Sequence, residues 1–346
     1  MDLSLNLIMK LPDVLKKRLL KGNDIELDNR TMHPGQQIIL YILEKRRITK
    51  DIYSLDPQTI RDYYNKTAGR LQKRPPRIKH KDHQISVDDG SIRVREYFPK
   101  KSTDHQGQTL LYFHGGGFSI GSLRTHDPLC KHLVSLLGWR VFSVEYRLAP
   151  EHRFPIPLED CDKAMDWLVD NADSLGVDTQ KIAIGGDSAG ANLSTCLCIK
   201  RLEESKLIPE RQYLLYPGID SKGDHKSMKT FTDGDGYFLL TKDLLQWFHD
   251  NYMTEEDHAN PYVAPMQYKK PELLPPAVVI TAGFDPLRDE GLAYYEFLKN
   301  AGVKVFYKEY EDLIHGFANF TIEPKCYEAV VESAEELKKL VDSSNG

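Results

Sequence analysis

From residue 85 onward, short β-prone segments alternate with longer segments of helical periodicity, which is clearest over residues 158–171 and 191–202. This alternation predicts β-α-β units and a mostly parallel sheet, that is, an α/β fold. The first two β-prone segments are too close in sequence for a crossover helix, so we expect them to form an antiparallel hairpin at one edge. The predicted strands cover residues 85–87, 92–97, 109–113, 141–146, 181–185, 213–216, 277–281 and 303–310.

The N-terminal region has a different pattern, because its apolar positions follow a helical period. We expect a short amphipathic helix that packs on the protein's own core, with attachment to a membrane surface as the alternative. Residues 33–71 continue the helical pattern, with Asp56 as an N-cap and Pro57 as a first-turn proline. The apolar positions of the first helix are Leu11, Val14, Leu15, Leu19 and Leu20.

A basic, proline-containing stretch over residues 70–83 separates these two regions. It is either a patch for nucleic acid or anionic lipid or a solvated connector, and we favour the connector. The whole chain of 346 residues has 46 Lys and Arg against 51 Asp and Glu, a formal charge of −5. This near balance argues against a nucleic-acid partner, which would need a concentrated positive field.

Cysteine content and the N-terminal residues bear on the cellular location. Five cysteines are too few and odd in number for a disulfide framework, and Cys196 and Cys198 are expected to be core thiols rather than metal ligands. No run within residues 1–21 approaches the ~18 apolar residues of a membrane span. The basic cluster follows the apolar block instead of preceding it, unlike a signal peptide. We therefore expect a cytoplasmic protein without stable membrane insertion.

Two glycine-rich motifs follow predicted strands. Residues 186–190 read Gly-Asp-Ser-Ala-Gly, a G-x-S-x-G pattern between a strand and a helix, where small neighbours allow close approach to Ser188. Residues 114–118 read His-Gly-Gly-Gly-Phe, whose unshielded backbone N–H groups suit an oxyanion hole. A simple glycine turn or a phosphate loop is the alternative, but no G-x-G-x-x-G or lysine-terminated loop accompanies it.

A serine nucleophile needs a base and a group that orients the base. Asp285 and His315 each directly follow a predicted strand, downstream of Ser188 in the order Ser, Asp, His that α/β-hydrolases use. The carboxyl ends of parallel strands are where open α/β sheets place their sites. The nearest rival acids and bases are Asp289, Glu290, Asp312, His225, His249 and His258.

With these motifs, the chain resembles the hormone-sensitive-lipase-like branch of the α/β-hydrolases, the family IV esterases, from about residue 85 to the C-terminus. The resemblance implies an eight-stranded, mostly parallel sheet flanked by helices. Glu145 departs from the Asp usual in the family, which puts only local packing in doubt. Further matching blocks lie at residues 121–127, 146–151, 154–155, 216–217, 285–291 and 315–317.

The resemblance assigns roles within a serine carboxylesterase that acts on short- to medium-chain acyl esters without a cofactor or metal. Ser188 would be the nucleophile, His315 the general base and then acid, and Asp285 its orienting carboxylate. The backbone N–H groups of Gly115, Gly116 and Ala189 would form the oxyanion hole. His114 would hold the glycine loop in shape.

The same resemblance implies four segments: an N-terminal cap segment (1–80), a first core part (81–218), a cap insertion (219–262) and a second core part (263–346). Aromatic residues of the insertion either line an acyl pocket or form the cap's own core; these are Phe231, Tyr237, Phe238, Trp247, Phe248 and Tyr252. A calcium loop beginning at Asp233 is rejected, because its twelfth position is Leu244 rather than Glu.

Two alternatives to an esterase remain open. One is an amidase or deacetylase that uses the same triad. The other is a ligand receptor on a disabled hydrolase fold, against which the intact His-Gly-Phe block at residues 315–317 argues. The expected partner is a small-molecule ester, and a homodimer through the last strand, common in similar proteins, is also left open.

Overall fold

Eight strands pair into one sheet in the computed structural model of the chain, which describes residues 3–45, 55–100, 107–221, 223–232 and 238–342. Two further short strands pair near the N-terminus. The strands are β1 (Glu26–Leu27), β2 (Arg30–Thr31), β3 (Lys79–Val87), β4 (Gly90–Phe98), β5 (Thr109–Phe113), β6 (Arg140–Glu145), β7 (Ile182–Asp187), β8 (Arg211–Leu215), β9 (Ala277–Phe284) and β10 (Val305–Ile314).

The sheet order is β10-β9-β8-β7-β5-β6-β4-β3. Every pair from β10 to β6 is parallel, whereas β4 pairs antiparallel with both β6 and β3. The predicted α/β fold and edge hairpin are therefore confirmed. After β5 the chain adds β6 on one side and β7 on the other, so the strand order reverses beside β5. Such a switch point leaves a crevice at the carboxyl ends of the strands.

Helices pack against both faces of the sheet. The longer α-helices are α1 (Leu3–Met9), α2 (Asp13–Leu19), α3 (Pro34–Lys45), α4 (Pro57–Thr67), α5 (Leu123–Leu137), α6 (Ile156–Asp170), α7 (Ala172–Leu175), α8 (Ala189–Glu203), α9 (Lys226–Thr232), α10 (Lys242–Tyr252), α11 (Arg288–Asn300) and α12 (Pro324–Asp342). Short 3₁₀ helices span Ala68–Leu71, Thr179–Lys181, Glu255–Ala259, Pro265–Gln267, Pro271–Leu273 and Phe317–Asn319.

The core has two layers, one on each face of the sheet. Leu110 and Tyr112 of β5 belong to one apolar cluster and Leu111 and Phe113 to the other, because side chains of a strand alternate between faces. The second cluster includes Cys196 and Cys198, and all five cysteines are buried and free. The expectation of core thiols is confirmed.

The basic connector is partly a strand. Its first residues belong to the 3₁₀ helix that ends at Leu71. Its last residues belong to β3, which begins at Lys79 rather than at residue 85, where the sequence predicts the first strand. Asp82 of this edge strand pairs with Arg95 of β4 at 2.6 Å, a cross-strand contact that local hydrophobicity does not reveal. Glu145, at the end of β6, pairs with Arg93 in the same way.

The first helices form as expected, with one correction to their orientation. Asp56 caps α4 by accepting a hydrogen bond from the Thr59 N–H. In α2, however, Lys16 is the buried residue, while Val14 and Leu19 are 65% and 56% exposed. An ion pair between Lys16 Nζ and Glu323 Oε1 at 3.1 Å turns this face inward. Within the described residues, no helix is both long and apolar enough to cross a bilayer.

Candidate active site

Ser188 lies on a sharp turn between β7 and α8. Its backbone φ is 53°, a left-handed conformation that costs free energy for a residue with a Cβ. Its N–H donates to Leu215 O at 2.9 Å, which holds the turn against β8. Only glycine fits at the flanking position 190, because a Cβ there would lie 2.0 Å from Phe113 O. The turn therefore presents the Ser188 hydroxyl above the sheet and at the start of a helix.

The structure brings His315 and Asp285 to this hydroxyl. His315 Nε2 lies 3.1 Å from Ser188 Oγ, and His315 Nδ1 lies 2.8 Å from Asp285 Oδ2. The other oxygen of the fully buried Asp285 accepts the Leu287 N–H at 2.8 Å. The Tyr216 ring meets the His315 ring edge to face at 4.9 Å. All three side chains follow the last residues of parallel strands, as the sequence predicts.

The rival acids have other partners. Asp289 accepts the Ser227 N–H, Glu290 accepts two backbone N–H groups, and Asp312 pairs with Lys325.

The rival bases are engaged elsewhere too. His225 pairs with Asp220, and Nε2 of His249 lies 2.8 Å from Nε2 of His258. Of the candidate acids and bases, only Asp285 and His315 form a chain of hydrogen bonds with Ser188.

The glycine loop after β5 differs from the expectation in one respect. The N–H of Gly115 donates to Asp187 Oδ1 at 3.0 Å, so this expected oxyanion donor already has an acceptor. All three glycines line the cavity beside Ser188, and Gly116 and Gly117 have positive φ, 121° and 55°. A Cβ on Gly117 would lie 2.1 Å from the ring of Phe248, so the loop also needs glycine there. The correction follows from a contact across 72 residues of chain, which the motif alone does not show.

Asp187 is a buried residue of the site that the sequence reasoning did not single out. Its two oxygens accept from the Tyr112 hydroxyl at 2.7 Å, the Gly115 N–H and the Asn319 amide, and lie 3.3 Å from His126 Nε2. Burial alone would raise the pKa of Asp187, but electrostatic attraction to His126 and these hydrogen bonds lower it to about 2. The ionised carboxylate of Asp187 thus holds the glycine loop against the turn that carries Ser188. The only sequence signal is the Asp inside the G-x-S-x-G motif.

His114 supports the same loop. Its Nδ1 lies 2.9 Å from Gly115 O, and its ring stacks on Tyr146 at 4.3 Å. The Tyr146 hydroxyl donates to His114 O at 2.7 Å. Burial lowers the pKa of His114 to about 3, so the imidazole is neutral near neutral pH. These contacts agree with the structural role that the resemblance implies.

Two cavities meet at Ser188. The larger, of about 240 Å³, also contacts His315 and Gly116. Its wall is mainly apolar and comes from the N-terminal helices, α10 and the segment after β10; it includes Ile42, Ile60, Leu71, Leu239, Trp247 and Phe320. The smaller cavity, of about 180 Å³, has a mainly apolar wall that also includes Asn192, Asp220, Ser221, His249 and Glu290. The site can therefore accommodate a molecule with two arms that diverge from Ser188.

The aromatic residues between β8 and β9 divide between the two expected roles. Trp247 and Phe248 line the larger cavity. Phe231 and Phe238 instead pack around Phe284, with ring centroids 5.9 and 6.1 Å from it. Tyr252 stacks on Phe118 at 3.7 Å. Tyr237 and the other residues from 233 to 236, which begin the rejected calcium loop, lie outside the described residues.

Across the part of the chain that the structure describes, no three His, Cys, Asp or Glu side chains come together in a way that could hold a metal ion.

Comparisons with known proteins agree with this fold. Residues 110–319 match the family model of the α/β hydrolase fold. The chain is 35% identical to the carboxylic ester hydrolase LipN of Mycobacterium tuberculosis, over 89% of this chain and 83% of LipN. It is 36% identical to an ethyl acetate hydrolase of Pseudomonas putida, over 74% of this chain and 78% of that one.

Solved structures of similar proteins extend the match to three dimensions. The hyperthermophilic esterase of Pyrobaculum calidifontis superposes with a TM-score of 0.80 at 38% identity, covering 88% of this chain and 98% of the esterase. An ester hydrolase from the Lake Arreo metagenome reaches a TM-score of 0.84 at 32% identity, covering 90% and 99%. The chain belongs to the hormone-sensitive-lipase-like family of α/β-hydrolases. It is a carboxylic ester hydrolase.

Proposed function

We propose that the chain hydrolyses short- to medium-chain acyl esters through an acyl-enzyme, with Ser188 as nucleophile, His315 as base and acid, and Asp285 as the orienting carboxylate. The observation that carries this proposal is the continuous hydrogen-bond chain from Ser188 Oγ to Asp285, beside an apolar cavity. Asp285 accepts the Nδ1–H of His315, which leaves Nε2 free to take the serine proton.

Each proton has a place to go in this reaction. His315 Nε2 takes the Ser188 proton as Oγ attacks the ester carbonyl carbon, and the carbonyl oxygen becomes an oxyanion. The protonated His315 then gives its proton to the leaving alkoxide, which departs as the alcohol. A water molecule, deprotonated by the same nitrogen, attacks the acyl-enzyme. Collapse of the second tetrahedral species releases the acid and returns the proton to Ser188.

The oxyanion hole of this proposal consists of the backbone N–H groups of Gly116, Gly117 and Ala189. Gly115 is replaced by Gly117 because its N–H already donates to Asp187. Gly116 and Gly117 lie beside Ser188 on the larger cavity, and Gly117 and Ala189 lie beside it on the smaller one. Ala189 is the first residue of α8, where the helix dipole favours negative charge.

The N-terminal segment (1–80) and the insertion (219–262) are proposed to form one cap over the catalytic core. Ile60 of α4 and Trp247 of α10 are buried against each other in a small apolar cluster that also includes Phe248. Both helices contribute to the wall of the larger cavity. An apolar cavity of about 240 Å³ supports short and medium acyl chains, because longer chains would extend beyond it into water.

The test is a series of nitrophenyl esters from acetyl through butyryl and octanoyl to palmitoyl. The wild-type protein is expected to hydrolyse butyryl faster than palmitoyl esters. Ser188→Ala should lower kcat at least about a thousandfold on every ester. Ser174→Ala, which changes an exposed serine of α7, is the matched control and should keep wild-type kcat.

Three outcomes would contradict the proposal. Turnover that survives Ser188→Ala would exclude Ser188 as nucleophile. Faster hydrolysis of palmitoyl than of butyryl esters would exclude the chain-length preference. Tight ester binding without turnover by the wild-type protein would favour a receptor.

A further inference from the structure

The smaller cavity beside Ser188 contains a buried carboxyl group that the proposed reaction does not use. We propose that Glu290 determines specificity by donating a hydrogen bond from its carboxyl O–H to an oxygen atom in the ester arm that enters this cavity. The inference rests on the proposed function, since it concerns the substrate of the same site. It assigns the substrate class: esters with one apolar arm, for the larger cavity, and one arm that carries an ether, hydroxyl or carbonyl oxygen.

The two oxygens of Glu290 have different surroundings. Oε2 accepts the N–H of Ile219 at 3.1 Å and the N–H of Asp220 at 2.6 Å. Oε1 has no hydrogen-bond partner among the described residues, and the side chain, 2% exposed, forms part of the cavity wall. Oε2 therefore holds the backbone that follows β8, and Oε1 is available to a molecule in the cavity.

The protonation of Glu290 follows from the same surroundings. Burial raises the pKa of Glu290 well above its usual value, against the two backbone hydrogen bonds that lower it, and the charges of Asp220 and Asp285 raise it further. Because both N–H groups point at Oε2, that oxygen is the carbonyl of the acid and the proton resides on Oε1. The group is thus a donor, not an anion that would bind an ammonium group.

Other polar side chains of this cavity wall are already engaged. The Asn192 amide donates to Gly218 O and to Val263 O, both at 2.8 Å. The Ser221 hydroxyl donates to His258 O at 3.2 Å. An entirely apolar arm would leave the buried Glu290 O–H without an acceptor, which is unfavourable. An arm with an oxygen atom would supply the acceptor.

The experiment compares matched esters that differ by one oxygen for one methylene. Nitrophenyl methoxyacetate against nitrophenyl butyrate varies the acyl arm, and methoxyethyl butyrate against butyl butyrate varies the alcohol arm. The measured quantity is the ratio of kcat/KM, oxygen-containing over hydrocarbon, for wild type and for Glu290→Gln and Glu290→Met. Glu296→Gln, which alters an exposed carboxyl of the same helix α11, is the matched control.

In Glu290→Met the ratio should fall about fivefold or more for one of the two pairs, since the donor is lost. In Glu290→Gln it should stay within about twofold of wild type, because the amide keeps both an acceptor for the two N–H groups and a donor for the cavity. Glu296→Gln should keep the wild-type ratio. If Glu290→Met does not fold, Glu290→Asp, which withdraws the carboxyl by one methylene, replaces it and should also lower the ratio.

An unchanged ratio for both ester pairs in the Met or Asp variant would overturn the inference. So would an equal fall in the Gln and Met variants, because the Gln amide keeps a donor for the cavity and should preserve the ratio. Both results leave the proposed reaction standing if turnover still depends on Ser188. Turnover that is independent of Ser188 would instead be the failure of the proposed reaction.

Discussion

Two buried titratable side chains beside the glycine loop are held in opposite charge states. Asp187 is ionised, because His126 and three hydrogen-bond donors outweigh the cost of its burial. His114 is neutral, because burial lowers its pKa and its neutral form still donates to Gly115 O. The loop is thus held by a negative charge on one side and by a neutral ring on the other. Acid affects these two supports at different pH values.

His114 is expected to make the fold sensitive to mild acid. Its folded-state pKa of about 3 lies below the usual 6.5, so between these values the unfolded chain binds a proton that the folded chain does not. Stability is therefore lost as the pH falls below 6.5 and continues to fall until about 3. At about pH 5 the loss in free energy of unfolding amounts to about 2 kcal/mol.

His114→Asn, whose amide can still donate to Gly115 O, should lose about 2 kcal/mol less than wild type between about pH 7.5 and pH 5. Urea unfolding at both pH values measures this difference. Equal losses in the two proteins would show that His114 is protonated in the folded state or does not set the acid response.

At the scale of elements, α4 and α10, one from each side of the proposed cap, meet in a small apolar seam. Ile60 and Trp247 form it together with the partly buried Leu244 and Phe248, apart from the two large clusters of the core. Phe248 also covers Gly117, so the seam contacts the glycine loop directly. A small apolar cluster separate from the main core is where local opening costs least. We expect ester chain length to be controlled here.

Trp247→Ala is expected to lower the free energy of unfolding by about 3 kcal/mol, as for other large-to-small changes of buried aromatic residues. It should also raise KM for the octanoyl ester more than for the acetyl ester, because Trp247 lines the larger cavity. Leu273→Ala, at a position 47% exposed, is the control and should change neither quantity. Equal KM changes for the two esters would mean that Trp247 stabilises the cap without contacting the acyl chain.

At the scale of the whole molecule, ion pairs attach the N-terminal segment to the catalytic core. Lys16 pairs with Glu323 at the start of α12, and both side chains are almost fully buried. Asp28 lies between Arg288 of α11 and Lys226 of α9, at 2.8 Å from each. A buried ion pair adds little stability over an apolar contact, but removal of one partner leaves the other buried without a counter-charge. These pairs therefore determine where the segment docks.

Lys16→Met should lower the free energy of unfolding by about 3 kcal/mol or more, because the buried Glu323 carboxyl would lose its Lys16 partner. The double variant Lys16→Met/Glu323→Gln should recover part of this loss. Lys17→Met, which breaks only the exposed pair with Asp24, should cost less than about 1 kcal/mol. Equal effects of the two single variants in urea unfolding would contradict a docking role for Lys16.

The sequence by itself determined the strand alternation and the candidate site. Strands beginning from 109 onward were predictable because buried parallel strands are short, continuous apolar runs. Ser188, Asp285 and His315 were predictable for a related reason: each directly follows such a strand, and parallel strands bring their carboxyl ends to one edge. Both inferences need only local pattern and chain order.

Only the tertiary structure decided which atoms meet across the chain. The N–H of Gly115 is engaged by Asp187, and the buried face of α2 carries Lys16 because Glu323 lies opposite it. In the same way, Trp247 lines a cavity while Phe231, a similar ring, packs on Phe284. Each outcome depends on a partner far away in sequence, whose position follows from packing and charge pairing between elements rather than from local periodicity.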